Sequence, residues 1–353
     1  MRLFVRWTVL GVLGCVLAVR PAEVAAGAGD RPAGDLADEG PPPTASAGPA
    51  QPAPDAPAPA RPPAEMAPPP RVDDRRHDLP DVKSHAAVVL DAETGAEIYG
   101  KSADEVRPIA STTKIFVAMA VRKQGLDLDG WTEITKADAR SARGGARTRL
   151  DIGKQFRNRD LLRAMLMASD NRAPTALARA AGMSPDALVR AMNKLAKGLH
   201  LKRTKFTDPS GLHGNVSTAR EMALALRAAL EDDVLRKIMG EDAYQVVSKD
   251  RYLRIDYNNT NHPLLAKRFD VIGGKTGFTT SAGYCFITGA RFGNREVVMA
   301  FLGAKGKETR FADFNRVATW ITEGAPGAKV TVTRPRRARP KLDVDARGRV
   351  AAP

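Results

Sequence analysis

The sequence predicts an α/β fold: one antiparallel sheet with helices on both faces and a mostly helical lobe beside it. Three observations predict it. A β-hairpin pattern opens the ordered part, with an apolar run over 86–90, the turn cluster Asp91-Ala92-Glu93-Thr94-Gly95, and a second short strand over 96–100. Apolar residues then recur with a helical period from about 115 to 230. Strand character returns over 271–302, where the runs 271–277, 283–291 and 297–302 are separated by turn residues, the last pair by Gly293-Asn294.

The chain has 353 residues, enough for one large or two ordinary domains. Of its 25 prolines, 15 fall within 31–80, so the excess belongs to one segment and not to the fold. The formal charge of +15 predicts anionic surroundings. No nucleic-acid motif, zinc-ligand spacing or aromatic stacking platform accompanies it, so charge alone does not make this a nucleic-acid binder, and no metal or cofactor is expected. Two cysteines, Cys15 and Cys285, cannot form a disulfide framework.

Residues 1–28 read as an export signal. Arg2 and Arg6 give the positive start, 7–19 is an apolar run short for a membrane span, and Ala25, Ala26 and Ala28 offer a cleavage site. Val12-Leu13-Gly14-Cys15 offers a second route, resembling a lipoprotein box that would place a lipid on Cys15 and tether the protein to a membrane. Residues 29–80 are rich in Pro and Ala and cannot bury enough apolar surface to offset ordering entropy, so they read as an extended spacer. Residues 81–325 read as one folded domain, and it carries the candidate catalytic motifs. Residues 326–353 read as a disordered tail with eight Lys/Arg against two Asp.

Within the domain, a helix follows Pro108-Ile109-Ala110 and stops at Gly125. Residues 131–150 read as a short strand and an irregular loop, in which Arg143 and Arg147 flank Gly144-Gly145. A helix over 160–180 is interrupted by Ser169-Asp170-Asn171. Polar residues in an apolar helical run need partners, which marks this break. Ser184-Pro185 opens the next helix, and Ser217 or Thr218 caps another over 218–230. A closing helix covers about 309–322. The histidines His77, His85, His200, His213 and His262 have no metal spacing and read as surface or turn residues.

Ser111-Thr112-Thr113-Lys114 stands where the extended stretch gives way to the first helix. A serine there has backbone N–H groups and the positive helix end around it, and a lysine three residues on shares its face. A neutral Lys114 could take the Ser111 proton and make it a nucleophile. Alone, the pattern equally fits an N-cap serine and a solvated lysine. Downstream come Ser169-Asp170-Asn171 and Lys275-Thr276-Gly277. Ser111 alone has a lysine three residues on, Ser169 alone has an asparagine two on, and K-T-G occurs once. The ordered set S-x-x-K, S-x-N, K-T-G is far more specific than any one triplet.

With these motifs the chain resembles the serine D-Ala-D-Ala peptidases, the low-molecular-mass penicillin-binding proteins that trim peptidoglycan. The resemblance covers about residues 80–325, with support from 91–99, 208–212 and the run GKTGFTTSAG over 274–283. Within the family, Asn259-Thr260-Asn261-His262 and Arg310-Phe311-Ala312-Asp313 resemble the murein D,D-endopeptidases that lack a second C-terminal domain. The resemblance implies a β-lactamase/transpeptidase-like fold, peptidoglycan stem peptides as substrate, β-lactam antibiotics as ligands, and a periplasmic or cell-envelope location. It implies Ser111 as nucleophile, Lys114 as base and Ser169 as proton relay. Asn171, Lys275, Thr276 and Gly277 would hold substrate, and the N–H groups of Ser111 and Phe278 would form the oxyanion hole. Burial and the charge of Lys275 should both keep Lys114 neutral. The four side chains of Ser111, Lys114, Ser169 and Lys275 should converge within hydrogen-bonding range of one another, directly or through a water. Two rivals remain open. A serine β-lactamase needs a glutamate for its water, and the nearest match, Glu221, reads as a capping or surface residue. A catalytically idle penicillin-binding scaffold is the other.

Overall fold

A computed structural model describes residues 79–146 and 148–323. The export signal with Cys15, the proline-rich segment through His77, Arg147 and the basic tail lie outside the described residues.

Strand β1 (Ala86–Asp91) is buried along its length and turns into β2 (Glu97–Lys101). Asp91 closes the turn by accepting from the N–H groups of Glu93 and Thr94, the Thr94 hydroxyl and Arg295. Burial alone would raise its carboxyl, but these donors outweigh it and hold the pKa at about 2. Strand β3 (Arg107–Pro108) leads through a 3₁₀ turn over Ala110–Thr113 into α1 (Lys114–Lys123). Gly125, at φ +81, lets the chain leave that helix.

Residues 131–150 hold more order than their pattern promised. Besides β4 (Trp131–Glu133) they contain a helix, α2 (Lys136–Ser141). Its six residues carry no apolar period, and what forms it is a capping box between Thr135 and Asp138. Strand β5 (Gln155–Arg157) pairs with β4 and enters α3 (Asn158–Met167), and α4 (Ala173–Ala180) resumes after the polar break. Helix α5 (Pro185–Gly198) opens on the Ser184 cap, and after β6 (Val216–Ser217), α6 (Ala219–Ala229) opens on the Thr218 cap. The span from 231 to 270 gave no clear sequence signal. It folds into α7 (Asp233–Met239), the hairpin β7 (Ala243–Val247) and β8 (Arg254–Asn258), and α8 (His262–Ala266). These elements are short, and of them β8 alternates exposed and buried residues with the strand period of two.

The chain ends on β9 (Asp270–Thr279), β10 (Gly283–Phe292), β11 (Arg295–Ala304) and α9 (Thr309–Glu323). The main sheet runs β2-β1-β11-β10-β9, and all its pairs are antiparallel. Alternate side chains of β1 enter different cores, as a period of two requires. Val88 and Leu90 pack with α1 and α6, while Ala87 and Val89 pack with Phe311 and Phe314 of α9. Helices therefore cover both faces, as expected, and β9 is left as an edge.

Candidate active site

Ser111 sits in the 3₁₀ turn directly after Ala110, whose φ is +48. That region is uncommon for a residue with a Cβ, and it turns the chain sharply into α1. Two glycines close on the turn. A Cβ on Gly277 would lie 2.9 Å from Ser111 N and 3.1 Å from Thr112 N, and one on Gly211 would lie 1.9 Å from Ala110 O. So β9 and the 208–213 loop both need bare backbone here. Asp208 shapes that loop by accepting from the N–H groups of Ser210, Gly211, Leu212 and His213. Asn215 ties the loop to the first helix by donating to the Thr113 hydroxyl at 3.1 Å.

Lys114 opens α1 and is 0% exposed. Its Nζ donates to Ser111 Oγ at 2.8 Å, Ser169 Oγ at 3.0 Å, Ser169 O at 3.2 Å and Asn171 Oδ1 at 2.5 Å. Burial pushes its pKa down to about 7, against the pull of Asp170 and Asp208. A lysine so placed can exchange a proton with either serine near neutral pH.

Ser169 ends α3 at φ +63, so it aims its hydroxyl and its carbonyl at the same ammonium. Asn171 gives Lys114 its oxygen, and its Nδ2 lies against Gly145, where an added Cβ would come within 2.1 Å. Lys275 stands next to the cluster of Ser111, Lys114 and Ser169 without a direct hydrogen bond to it. It is 1% exposed, and its Nζ donates to Thr276 O at 2.8 Å. Burial lowers its pKa well below the ordinary lysine value, and the neighbouring Lys114 and Arg310 charges lower it further. The repulsion between Lys114 and Lys275 is mutual and disfavours a second positive charge in the site.

The Thr276 hydroxyl lies 2.7 Å from that of Thr260. The Thr260 hydroxyl donates to Met167 O at 3.0 Å, so its oxygen accepts from the Thr276 hydroxyl, which a substrate would have to draw away into the cleft. Arg310 on α9 donates to Gly277 O at 2.8 Å and Cys285 O at 3.0 Å, bracing the edge strand from behind. Cys285 is a buried free thiol, pushed up to about 11 by burial. The cleft holds about 720 Å³, and Ser111, Ser169, Asn171, Thr276, Phe278 and Arg310 are among its lining. The Phe278 ring is exposed and stacks on Tyr284 at 4.3 Å. Among the described residues, no cluster of three or more His, Cys, Asp or Glu is arranged to hold a metal ion.

Residues 73–306 match the family model described as D-alanyl-D-alanine carboxypeptidase, peptidase S11. The chain belongs to this family. The peptidase is 35% identical over 245 residues to a D-alanyl-D-alanine endopeptidase of Pseudomonas aeruginosa, covering 69% of this chain and 79% of that one. It is 32% identical to a D-alanyl-D-alanine endopeptidase of Escherichia coli, again covering 69% and 79%. Among solved structures, the Streptomyces K15 DD-transpeptidase superposes with a TM-score of 0.64 at 28% identity, covering 68% of this chain and 97% of that one. The peptidase has the penicillin-binding transpeptidase fold and is a serine-type D-Ala-D-Ala enzyme.

Glu221 is not a surface residue. It is 9% exposed, and its carboxylate accepts from Arg203 N and the Thr204 hydroxyl, away from the cleft lining. Sequence reasoning quoted the stretches containing Thr260 and Arg310 but gave neither residue a role. It missed Tyr257 and Arg149 altogether, because a short strand and a polar loop carry no local signal for the contacts they make.

Proposed function

We propose that the peptidase cleaves D-alanyl bonds of peptidoglycan stem peptides through an acyl-enzyme, acting chiefly as a D,D-endopeptidase on cross-links. The contact between buried Lys114 Nζ and Ser111 Oγ at the cleft wall, 2.8 Å long, is the observation that carries the chemistry. Ser111 Oγ attacks the D-alanine carbonyl carbon while its proton passes to neutral Lys114. The oxyanion that forms takes the N–H groups of Ser111 and Phe278. As the C–N bond breaks, Ser169 Oγ gives its proton to the departing amine and recovers one from Lys114, 3.0 Å away. Water then attacks the ester, its proton goes to Lys114, and Ser111 leaves with a proton restored.

The remaining residues hold substrate. Lys275 supplies positive charge and Thr276 a hydroxyl to a substrate carboxylate. Asn171 Nδ2 donates to a substrate carbonyl. The free edge of β9 accepts an extended peptide, and Gly277 lets it lie close. The endopeptidase preference rests on the two relatives of that name at 35% and 32% identity. Export through residues 1–28, with or without a lipid on Cys15, and the 29–80 spacer would carry the domain to the cell envelope. The described residues lining the cleft include no carboxylate, which favours a long-lived penicillin ester over β-lactam turnover.

Fluorescent penicillin should label the purified protein covalently, Ser111→Ala should abolish labelling, and Lys114→Ala should reduce it severely. Rapid turnover of penicillin would favour the β-lactamase reading. Labelling undiminished in Ser111→Ala would remove the nucleophile. Digestion of cross-linked muropeptides should consume dimers; conversion of pentapeptide to tetrapeptide with dimers untouched would make the enzyme a carboxypeptidase instead.

A further inference from the structure

Asp170 lies between two residues that touch Lys114, yet no catalytic step above uses it. It is 2% exposed. Its Oδ2 accepts from Tyr257 OH at 3.1 Å and Arg149 N at 2.8 Å, and its Oδ1 accepts from Arg172 N at 3.0 Å. These donors come from β8, from the loop before β5 and from the start of α4. A turn needs no charge, and a buried carboxylate is costly unless its charge is used or compensated. Tyr257 is 1% exposed, and burial raises its phenol well above the ordinary value, ahead of the nearby Asp170 charge. It is therefore a permanent neutral donor. The Arg149 guanidinium stacks over the same ring at 4.3 Å. The assembly holds one carboxylate in one place.

We infer that Asp170 is a positioning residue: clamped by Tyr257, Arg149 and Arg172, it fixes a buried negative charge behind Ser169 and Asn171 that governs how readily Lys114 takes and releases a proton. The charges around Lys114 come from three sides. Asp170 approaches from the break between α3 and α4, and Asp208 from the loop beneath Ser111; both favour the ammonium. Lys275 approaches from β9, with Arg310 of α9 behind it, and both oppose added positive charge. When Lys114 accepts the Ser111 proton, positive charge appears in the same buried neighbourhood as Lys275 and is disfavoured by it. Asp208 is already shared among four backbone N–H groups of its own loop. Asp170 is the carboxylate whose two sequence neighbours both contact the Lys114 ammonium.

This rests on Lys114 being the proton acceptor, and the test separates the two ideas. The second-order rate of Ser111 acylation by a fluorescent penicillin is measured against pH in the full chain. The wild-type rate should fall on the acid side with a midpoint near 7, where Lys114 titrates. Asp170→Asn should move that midpoint down by at least about half a unit and lower the plateau by up to about threefold per half unit, because the ammonium has lost a favourable charge. Tyr257→Phe keeps the charge but removes one donor that shares it. Its midpoint should rise by a few tenths of a unit. A lower rate with an unmoved midpoint in Asp170→Asn would make Asp170 merely structural and overturn the inference. If that variant does not fold, an unmoved or lowered midpoint in Tyr257→Phe overturns it equally. Full acylation of Lys114→Ala would instead overturn the base assignment itself.

Discussion

Two buried charged centres in this molecule are built on opposite plans. Asp138 is fully buried and fully answered. It accepts from the Thr135 N–H and hydroxyl, the Thr175 hydroxyl, and both terminal nitrogens of Arg179. Burial would raise its carboxyl, but Arg179, Thr175 and Thr135 outweigh burial and hold it below the ordinary value. Lys114 is equally buried, and burial prevails over Asp170 and Asp208, leaving a pKa of about 7. The first centre locks one protonation state and fastens α2 to α4. The second leaves two states close in energy, which is what a proton carrier needs and what a structural ion pair avoids.

Replacing each centre should therefore damage a different property. Lys114→Met should lower penicillin acylation by about a thousandfold or more, since among the described residues Lys114 is the basic side chain that hydrogen-bonds Ser111 Oγ. Its thermal midpoint should equal or exceed that of the wild type, because the substitution removes a charge held in an unfavourable place. A clear loss of stability in this variant would mean that the ammonium is structural, as Asp138 is.

Asp138→Ala should do the reverse. It removes the α2 cap and strands the Thr175 hydroxyl, at a cost of about 3 kcal/mol and a fall in melting temperature of roughly 6–12 °C. The acid midpoint of the acylation profile should stay where it is. A shifted midpoint would show that the two centres are coupled.

The smallest effect is the pH dependence of stability. The Lys114 pKa is about 7 in the folded protein and near the ordinary lysine value of 10.5 when unfolded. Between those values the unfolded chain binds the extra proton, so this group makes stability rise with pH across that window and adds no slope below it. From about pH 7.5 to 9.5 the wild type should gain about 1 kcal/mol per pH unit more than Lys114→Met in denaturant titrations. Equal slopes would mean that Lys114 keeps its proton in the folded state.

The sequence by itself determined the elements whose cause is local: the hairpin at Asp91, the helix caps at Ser184 and at the Ser217-Thr218 pair, the broken helix at Ser169 and the three β-strands at the end. It also marked out the candidate set of Ser111, Lys114, Ser169, Asn171 and Lys275-Thr276-Gly277, because the three triplets occur once each and in a rare order. It did not determine how those groups are charged. The proton affinity of Lys114 depends on burial and on partners from sequence separations of 55 and 57 residues, and the Asp170–Tyr257 contact spans 87. Asp138 shows the same limit. Its capping box with Thr135 is local, but Thr175 and Arg179 reach it across 37 and 41 residues, and only packing decides whether a buried charge is neutralised or left poised. Lys275 completes the contrast: its identity was legible, while its hydrogen bond to its own strand, apart from the serine–lysine cluster, was settled by where β9 lies against the turn at Ser111.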